Sequence, residues 1–212
     1  MTILNNFAVF EGCDGSGTTT QLGILKDFFG SRAGSGGFPL FYPTFEPTEG
    51  PIGRIIRAGL KGEFPLVPET VAFLFAADRS EHLYGPDGVA ERCARGELVV
   101  SDRYVPSSLV YQGLTCGEEV PFRLNRDFPC PELILFFDID PETAQKRMAG
   151  RREKEIYEYL DFQIRVRERY LKILPGFTAA GTRVETIDAS RGPEEVAARI
   201  WSHIQKMPIF KR

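Results

Sequence analysis

The sequence predicts an α/β protein in which helices flank a doubly wound, mainly parallel sheet of five strands. Three observations support this fold class. Five short apolar segments alternate with segments of helical periodicity, a glycine-rich loop follows the first apolar segment, and polar residues close most of the others. A chain of 212 residues can bury a substantial core. We therefore expect one domain that spans residues 1–212.

The predicted elements follow the hydrophobic pattern along the chain. A strand at residues 7–10 precedes a helix in which Leu22, Leu25, Phe28 and Phe29 recur at three- and four-residue spacing. Further strands are predicted at residues 38–41, 98–100, 133–137 and 184–187. The other predicted helices cover residues 52–60, 69–84, 87–95, 107–112, a segment from 140, a long segment closed by the Pro–Gly pair at 175–176, and 193–206.

Polar groups follow several predicted strands at the point where each strand ends. They are the glycine-rich loop, Glu46, Asp102, Asp138 and Asp188. The carboxyl ends of parallel strands lie at one edge of a sheet, and ligands bind outside that edge. We therefore expect these groups to surround a binding site.

Composition and charge exclude several classes of function. A net charge of −3 argues against a general nucleic-acid surface. Two histidines, His82 and His203, give little support to a histidine metal site or a serine triad. The chain shows no signal-peptide pattern and no apolar run of membrane-spanning length, so we expect a cytoplasmic protein without a membrane partner. Widely separated cysteines are typical of reduced thiols; they are Cys13, Cys93, Cys116 and Cys130.

The glycine-rich loop resembles a phosphate-binding loop in which one residue of the usual pattern is replaced. Gly12, Gly17 and Thr19 fill their places in the pattern G-x-x-x-x-G-K-[ST], but Thr18 occupies the position of the lysine. The loop lies between a predicted strand and a predicted helix. The backbone N–H groups of Gly15, Gly17 and Thr18 would therefore converge on an anion at the positive end of that helix.

A carboxylate at the end of the third strand predicts a magnesium site. Asp102 closes an apolar strand, where a phosphate-loop enzyme places the carboxylate that organises Mg²⁺, although a turn cap is the alternative. Thr19 is the expected hydroxyl partner of the metal. The adjacent Arg103 forms either a surface ion pair or a phosphate contact.

Two helical spacings predict a pocket for a planar ligand. Phe75 and Arg79 lie four residues apart and share a helix face, which would present a ring and a guanidinium together. Ser108, Tyr111 and Gln112 also share a face and offer a hydroxyl, a phenol and an amide. The alternatives are core packing for Phe75 and a solvated surface position for Gln112.

Together, these features resemble the thymidylate kinase family of phosphate-loop nucleoside monophosphate kinases over nearly the whole length of the chain. The segments that carry the resemblance are FEGCDGSGTTTQ, EPTEGPIGRIIR, LFAADRSEH, VVSDRYVPSSLVYQG, LFFDIDPETAQKR and TIDAS. The resemblance implies a P-loop NTPase-type fold and ATP-dependent phosphorylation of dTMP to dTDP in dTTP biosynthesis. It also implies Mg²⁺, a homodimer, and a short basic lid near residues 149–158.

The resemblance implies roles for residues that bind the acceptor dTMP. Phe75 matches the ring that stacks on thymine, Arg79 the arginine that reaches the base, and Arg103 the arginine that holds the acceptor phosphate. The other substrate positions are Ser108 and Gln112 beside the base, Tyr111 under the sugar, Asp14 near the sugar or phosphate, and Glu46.

The resemblance also implies roles for residues that bind ATP. Arg147 resembles an arginine that lies on adenine, and the turn at Asp188 and Ala189 would edge the same base. The loop supplies Gly12, Cys13, Asp14, Gly15, Ser16, Gly17, Thr18, Thr19 and Thr20. Arg151 and Arg152 match lid positions that supply charge to the transition state, and with Asp14 and Arg103 they form the implied catalytic set.

The sequence departs from the family pattern at three positions. Thr18 replaces the loop lysine, Phe45 replaces a basic residue before Glu-Pro, and Ile156 replaces an arginine in the lid. We hypothesise that the lid compensates through Arg151, Arg152 or Lys154. Two alternatives stay open at this stage: a weakly active or non-enzymatic nucleotide-binding homologue, and a kinase for another nucleoside or nucleoside monophosphate.

Overall fold

A computed structural model describes residues 2–32, 37–148, 157 and 159–211. Its five strands form one sheet in the order β2-β3-β1-β4-β5, and all four pairings are parallel. The strands are β1 (Ile3–Gly12), β2 (Phe41–Phe45), β3 (Leu98–Asp102), β4 (Cys130–Asp138) and β5 (Arg183–Asp188). The predicted fold class, a doubly wound parallel sheet with flanking helices, is therefore confirmed.

Nine α-helices lie within the described ranges, and they make most of the connections between strands. They are α1 (Thr18–Gly30), α2 (Pro51–Leu60), α3 (Pro68–Tyr84), α4 (Val89–Ala94), α5 (Val105–Thr115), α6 (Glu119–Asn125), α7 (Pro141–Met148), α8 (Leu160–Ala179) and α9 (Pro193–Ile204). A short 3₁₀ helix at Pro208–Phe210 follows α9. In the part of the chain that the structure describes, no helix is both long enough and apolar enough to cross a bilayer.

The core lies on the three inner strands. The side chains of residues 7–10 on β1 and 98–100 on β3, together with most of those of residues 133–137 on β4, have no solvent exposure. Helices cover both faces of the sheet, so these strands appear in the sequence as continuous apolar runs rather than alternating ones.

The predicted second strand was placed too early. β2 begins at Phe41, and the side chain of Leu40 is 74% exposed. Phe38 instead packs into an aromatic cluster, with its ring centroid 6.0 Å from that of Trp201 and 6.1 Å from that of Phe28. The apolar character of residue 38 therefore reflects side-chain packing rather than strand pairing.

The predicted boundaries of two helices were wrong at prolines. The long helix α8 continues through Pro175 to Ala179, because Leu174 and Phe177 are buried on either side of the proline and their packing outweighs one lost backbone hydrogen bond. Similarly, α5 begins at Val105, so Pro106 lies inside its first turn rather than before it.

Helix α6, with Pro121 in its first turn, was not predicted. The predicted lid at residues 149–158 lies outside the described residues except for Tyr157, as do Arg151, Arg152, Lys154 and Ile156.

Candidate active site

A cavity of about 580 Å³ opens at the carboxyl ends of the strands. Parallel pairing places the loop after β1, the residues after β2 and β3, and the turn after β5 at this edge. The cavity brings together these sequence-predicted site residues: Asp14, Gly15, Ser16, Gly17, Thr18, Thr19, Thr20, Glu46, Phe75, Arg79, Asp102, Arg103, Ser108, Tyr111, Gln112, Arg147 and Ala189. Asp138 is not part of the lining, and its carboxylate pairs with Arg167 at 2.6 Å.

The loop after β1 has a shape that requires glycine. Gly15 and Gly17 have φ angles of 81° and 95°, in the left-handed region that side chains disfavour. A Cβ on Gly15 would lie 2.5 Å from the carbonyl oxygen of Ala144, and one on Gly12 would lie 2.9 Å from that of Phe137. The loop therefore leaves β1 and enters α1 through a tight backbone turn, as the phosphate-loop pattern predicts.

The side chains of the loop contribute no positive charge. Thr18 begins α1 and is 5% exposed, so the position of the expected lysine holds a buried neutral side chain. Burial raises the pKa of the Cys13 thiol to about 11, which keeps the thiol protonated at neutral pH. An anion at this loop would therefore depend on backbone N–H groups and on the N-terminus of α1.

Thr19 and Asp102 form a pair with capacity for a hard cation. The hydroxyl of Thr19 donates to Asp102 Oδ2 at 2.6 Å. Asp102 Oδ1 is buried and has no hydrogen-bond partner among the described residues. Hydroxyl and carboxylate oxygens are ligands that Mg²⁺ prefers, so this unpaired oxygen fits the predicted metal site. No group of three or more His, Cys, Asp or Glu side chains in the described ranges could hold a metal ion by itself.

Arg79 is held at one end of the cavity by buried partners. Its side chain is 1% exposed, and Nε and Nη2 donate to Glu46 Oε2 at 3.0 and 2.7 Å. Nη2 also donates to Ser108 Oγ at 3.0 Å, and Nη1 donates to Asn125 Oδ1. These contacts occupy four of the five guanidinium N–H donors. One N–H donor on Nη1 makes no hydrogen bond to any described residue and is left for a ligand.

Phe75 and Gln112 complete this end of the cavity. Phe75 is half-buried; it packs partly on the core and also lines the cavity, so the core interpretation covers only part of its surroundings. Gln112 is 2% exposed and lines the cavity, so its interpretation as a solvated surface residue was wrong.

Two residues that the sequence analysis missed support Arg79 and Glu46, and Thr44 contacts one of them. Asn125 comes from the unpredicted helix α6. His82 approaches Glu46 Oε1 through Nδ1 at 3.1 Å and Thr44 Oγ1 through Nε2 at 2.7 Å. A carboxylate only accepts hydrogen bonds, so Nδ1 donates to it. The signal for His82 was its position three residues after Arg79, on one helix face.

Arg103 lies between the two ends of the cavity. Its φ angle is 76°, which is unusual for a residue with a side chain, and its N–H donates to the carbonyl of Phe10 at 3.0 Å. The guanidinium lies over the ring of Tyr111, with 5.3 Å between Cζ and the ring centroid. Nη2 donates to Asp14 Oδ1 at 2.7 Å. Arg103 is therefore a fixed part of the cavity rather than a surface ion pair.

Further hydrogen bonds hold Arg103 and Asp14 in place, from Arg103 Nη1 and from the side-chain amide of Gln163. Arg103 Nη1 donates to the carbonyl of Gly12 and to the hydroxyl of Tyr170, the latter at 3.0 Å. Gln163 Nε2 donates to Asp14 Oδ2 at 2.7 Å, and its Oε1 accepts the Asp14 N–H at 3.0 Å. Tyr170 and Gln163 both lie on α8 and were not predicted.

Glu11 is the most deeply buried acidic group near the cavity. Its side chain has no solvent exposure. Oε1 accepts the N–H of Tyr104 at 2.9 Å, and Oε2 lies at hydrogen-bond distance from Ser107 Oγ, 2.7 Å away, and from Tyr170 Oη, 2.8 Å away. Burial raises the pKa of Glu11 from 4.5 to about 7, although the charge of Arg103 opposes the shift.

The opposite end of the cavity is built from the turn after β5. Arg147 Nη1 donates to the carbonyl of Ala189 at 2.8 Å, and Nη2 donates to that of Ser190 at 3.3 Å. Hydrogen bonds from Ser190 and then Arg191 lower the pKa of Asp188, whose carboxylate shapes this exposed turn. Asp188 itself lies beside the cavity rather than in its lining.

Comparisons with known proteins agree with this geometry. A family model described as thymidylate kinase matches residues 10–200. A Treponema pallidum protein with a provisional thymidylate kinase name is 40% identical over 214 residues, covering 100% of both chains. A similarly named Pyrobaculum aerophilum protein is 40% identical over 97% of this chain and 99% of its own length. A third, from Methanococcus vannielii, is 40% identical over 80% of this chain and 78% of its own length.

Proposed function

The chain belongs to the thymidylate kinase family, and we propose that it transfers the terminal phosphate of ATP to dTMP within the cavity described above. The products are dTDP and ADP. One observation carries the proposal: a base pocket around Arg79, a central Arg103 and a phosphate-type loop line one continuous cavity. The interpretation as a non-enzymatic homologue is not favoured, because relatives that match the whole chain carry kinase names.

The base of dTMP stacks on Phe75 in this proposal. The remaining Nη1 donor of Arg79 faces an acceptor oxygen of the base, and Ser108 and Gln112 border it. Tyr111 lies under the sugar; its hydroxyl is buried and has no hydrogen-bond partner in the described part of the chain, so it is available to a ligand. Glu46 acts through Arg79, which it holds in place.

The acceptor phosphate lies against Arg103. Two of the five guanidinium donors, on Nε and Nη2, make no hydrogen bond to any described residue, and they form an edge that suits two phosphate oxygens. Asp14 orients this edge from one side and lies near the sugar or phosphate.

ATP occupies the opposite end of the cavity. Its phosphates lie on the backbone N–H groups of Gly15, Gly17 and Thr18, at the N-terminus of α1. Arg147 lies on adenine, and the turn at Asp188 and Ala189 borders the base. Arg151 and Arg152, which lie outside the described residues, supply lid charge in this proposal.

Thr19 and Asp102 would hold Mg²⁺, which neutralises phosphate charge when it is bound with ATP. The chain itself contributes position and charge. An acceptor phosphate oxygen is already anionic, so it needs no strong general base to attack the terminal phosphorus as ADP leaves. Repulsion between two polyanions is the main obstacle, and Arg103 offsets it at the point where they meet.

We also propose a homodimer and a cytoplasmic location. Large apolar side chains are exposed on two neighbouring helices: Ile55 on α2 is 45% exposed, and Phe73 and Tyr84 on α3 are 58% and 59% exposed. A patch of this kind is typical of a subunit interface. Size-exclusion chromatography with light scattering tests the dimer.

The four cysteines form no disulfide among the described residues, which fits a reducing compartment.

A coupled assay of ADP release tests the activity. We expect turnover with dTMP and Mg²⁺-ATP, slower turnover with dUMP and dCMP, and none with thymidine, which lacks the phosphate that Arg103 binds. The variant Arg103→Ala should lose turnover, whereas Arg92→Ala, an ion-paired arginine outside the cavity, should keep it. Transfer to thymidine but not to dTMP would overturn the proposal.

A further inference from the structure

Three oxygen atoms form a closed triangle beneath the cavity. Glu11 Oε2 lies 2.7 Å from Ser107 Oγ and 2.8 Å from Tyr170 Oη, and the two hydroxyl oxygens lie 2.8 Å from each other. Each separation is a hydrogen-bond distance. The side chains come from β1, α5 and α8, so the triangle joins three elements around the phosphate loop.

Counting protons shows which form of Glu11 suits this triangle. Three hydrogen bonds need three protons, and the two hydroxyls supply one each. With Glu11 ionised, one side of the triangle has no proton and two oxygen lone pairs face each other. With Glu11 protonated, each oxygen donates once and accepts once around the ring. The neutral carboxyl group therefore satisfies every member of the cluster.

We propose that Glu11 retains a proton below neutral pH and, through Tyr170, positions Arg103 for the acceptor phosphate. This inference rests on the proposed role of Arg103 in binding that phosphate. Glu11 is a positioning residue, since it does not line the cavity and no substrate atom reaches it.

Tyr170 is the link between the carboxyl group and the arginine. Its hydroxyl accepts a hydrogen bond from Arg103 Nη1, and the carbonyl of Gly12 takes the other Nη1 donor. With both donors on Nη1 engaged, the Nε and Nη2 edge is the part of the guanidinium left for phosphate. Removing the Tyr170 hydroxyl would free one Nη1 donor and loosen this orientation.

The charges around Glu11 determine how its ionisation acts. Arg103 is the cation that faces it, Asp102 on β3 is the nearby carboxylate, and Tyr170 on α8 is the titratable phenol. Asp14 lies beyond Arg103 and pairs with it. A pKa of about 7 for Glu11 agrees with a proton that is retained below neutral pH and lost above it. Ionisation would add a further negative charge beside Arg103 and reduce its attraction for phosphate.

The first experiment detects the proton directly. A protonated carboxyl group has an infrared C=O stretching band that a carboxylate lacks. We expect such a band in the wild-type protein at about pH 6, its loss by about pH 8.5 as a group with a pKa near 7 ionises, and its absence from Glu11→Gln. If that variant does not fold, a frequency shift in Tyr170→Phe assigns the band. A wild-type spectrum without this band at about pH 6 would overturn the inference.

The second experiment measures the consequence for substrate binding. Gln at position 11 mimics the neutral carboxyl group, so the ratio of the dTMP dissociation constants of wild type and Glu11→Gln isolates Glu11 from the ionisation of the phosphate. We expect this ratio to rise about fivefold between pH 6.5 and 8.5, a typical coupling between two sites. A constant or falling ratio would contradict the inference.

Two variants separate positioning from a loss of stability. Tyr170→Phe should raise the KM for dTMP and leave that for ATP nearly unchanged. Thr182→Val removes another buried hydroxyl, which donates to the carbonyl of Pro131 at 2.9 Å far from the cavity, and should change neither constant. Equal changes in both KM values in Tyr170→Phe would assign Tyr170 a structural role only. Absence of dTMP turnover in the wild type would refute the proposed function, whereas the infrared result stands apart from it.

Discussion

In our proposal, the two ends of the cavity recognise phosphate compounds by different physical means. At the acceptor end, Arg79 is 1% exposed and Arg103 is 17% exposed in their side chains, and both are held by hydrogen bonds to side chains that are buried or partly buried. At the donor end, Arg147 contacts backbone carbonyls, and the phosphate loop carries Thr18 in place of a lysine. The acceptor end is thus built from ordered side chains and the donor end mainly from backbone.

This difference matches what each ligand demands. A base is distinguished by single donors and acceptors, so its arginine must be fixed before the ligand arrives. A polyphosphate presents many equivalent oxygens, and a row of backbone N–H groups can bind them without a unique side chain. We therefore expect substitutions at the acceptor end to cost more than substitutions at the donor end.

The largest effect is expected for Arg79→Met. This change leaves the Glu46 carboxylate buried without its guanidinium. The free energy of unfolding should therefore fall by about 3–5 kcal/mol. The kcat/KM for dTMP should fall by about 10³-fold, since truncating one partner of a buried charge pair costs several kcal/mol. Steady-state kinetics and urea unfolding measure the two effects. Arg123→Met, which removes an exposed arginine paired with Glu119 outside the cavity, is the control and should lose less than about 1 kcal/mol.

The partners of Arg79 show how far the sequence argument could reach. The predicted pair Phe75 and Arg79 needed only helical periodicity, which is local. Asn125 lies 46 residues from Arg79, on a short helix with an internal proline, and no local pattern connects the two. Sequence spacing therefore identified a side chain that lines the cavity and missed the one that holds it.

The next effect is expected for Asp102→Asn, at the junction of the two ends. The amide offers a weaker metal ligand in place of the carboxylate whose Oδ1 is unpaired. We expect kcat to fall by about 10²–10³-fold, the usual cost of losing one preorganised electrostatic contact. Mg²⁺ titration of the rate should show a higher half-saturating concentration. An unchanged Mg²⁺ dependence would place the metal elsewhere.

A third prediction concerns pH and the stability of the acceptor end. Glu11 has its pKa raised from 4.5 to about 7, so the native state binds more protons than the unfolded state in that window. Stability should therefore fall as pH rises through the window, by about 3 kcal/mol relative to Glu11→Gln. Urea unfolding followed by the fluorescence of Trp201, the only tryptophan, measures this. Parallel stability curves for the two proteins would contradict it.

Glu11 also marks a limit of the sequence argument. It ends the apolar segment before the glycine-rich loop, and position alone gave it no role. Its partners Ser107 and Tyr170 lie 96 and 159 residues away, on α5 and α8. By contrast, the strand-end rule placed Asp102 and the phosphate loop correctly, because topology brings every parallel strand end to one edge.

A smaller effect is expected for Thr18→Lys at the donor end. If backbone N–H groups and the lid already bind the donor phosphates, a new lysine should raise kcat by no more than about tenfold, well below the 10²–10³ of a missing essential contact. Gly23→Lys adds the same charge on the exposed face of α1, where a Cβ meets no atom within 4 Å, and is the matched control. A gain of 10²-fold or more in Thr18→Lys alone would show that the natural loop limits catalysis.

The smallest effect is expected for Arg147→Ala. Arg147 donates to the carbonyls of Ala189 and Ser190, which are in a turn near the surface, and in our proposal its guanidinium lies flat on adenine. A partly exposed cation–π contact contributes about 0.5–1 kcal/mol, so the KM for ATP should rise about two- to fivefold while kcat and the KM for dTMP stay nearly constant. Arg147→Lys separates the contributions, because lysine keeps the charge but cannot stack as a plane. If Arg147→Ala instead raised the KM for dTMP, the donor and acceptor ends would share this residue, and the contrast between them would fail at that point.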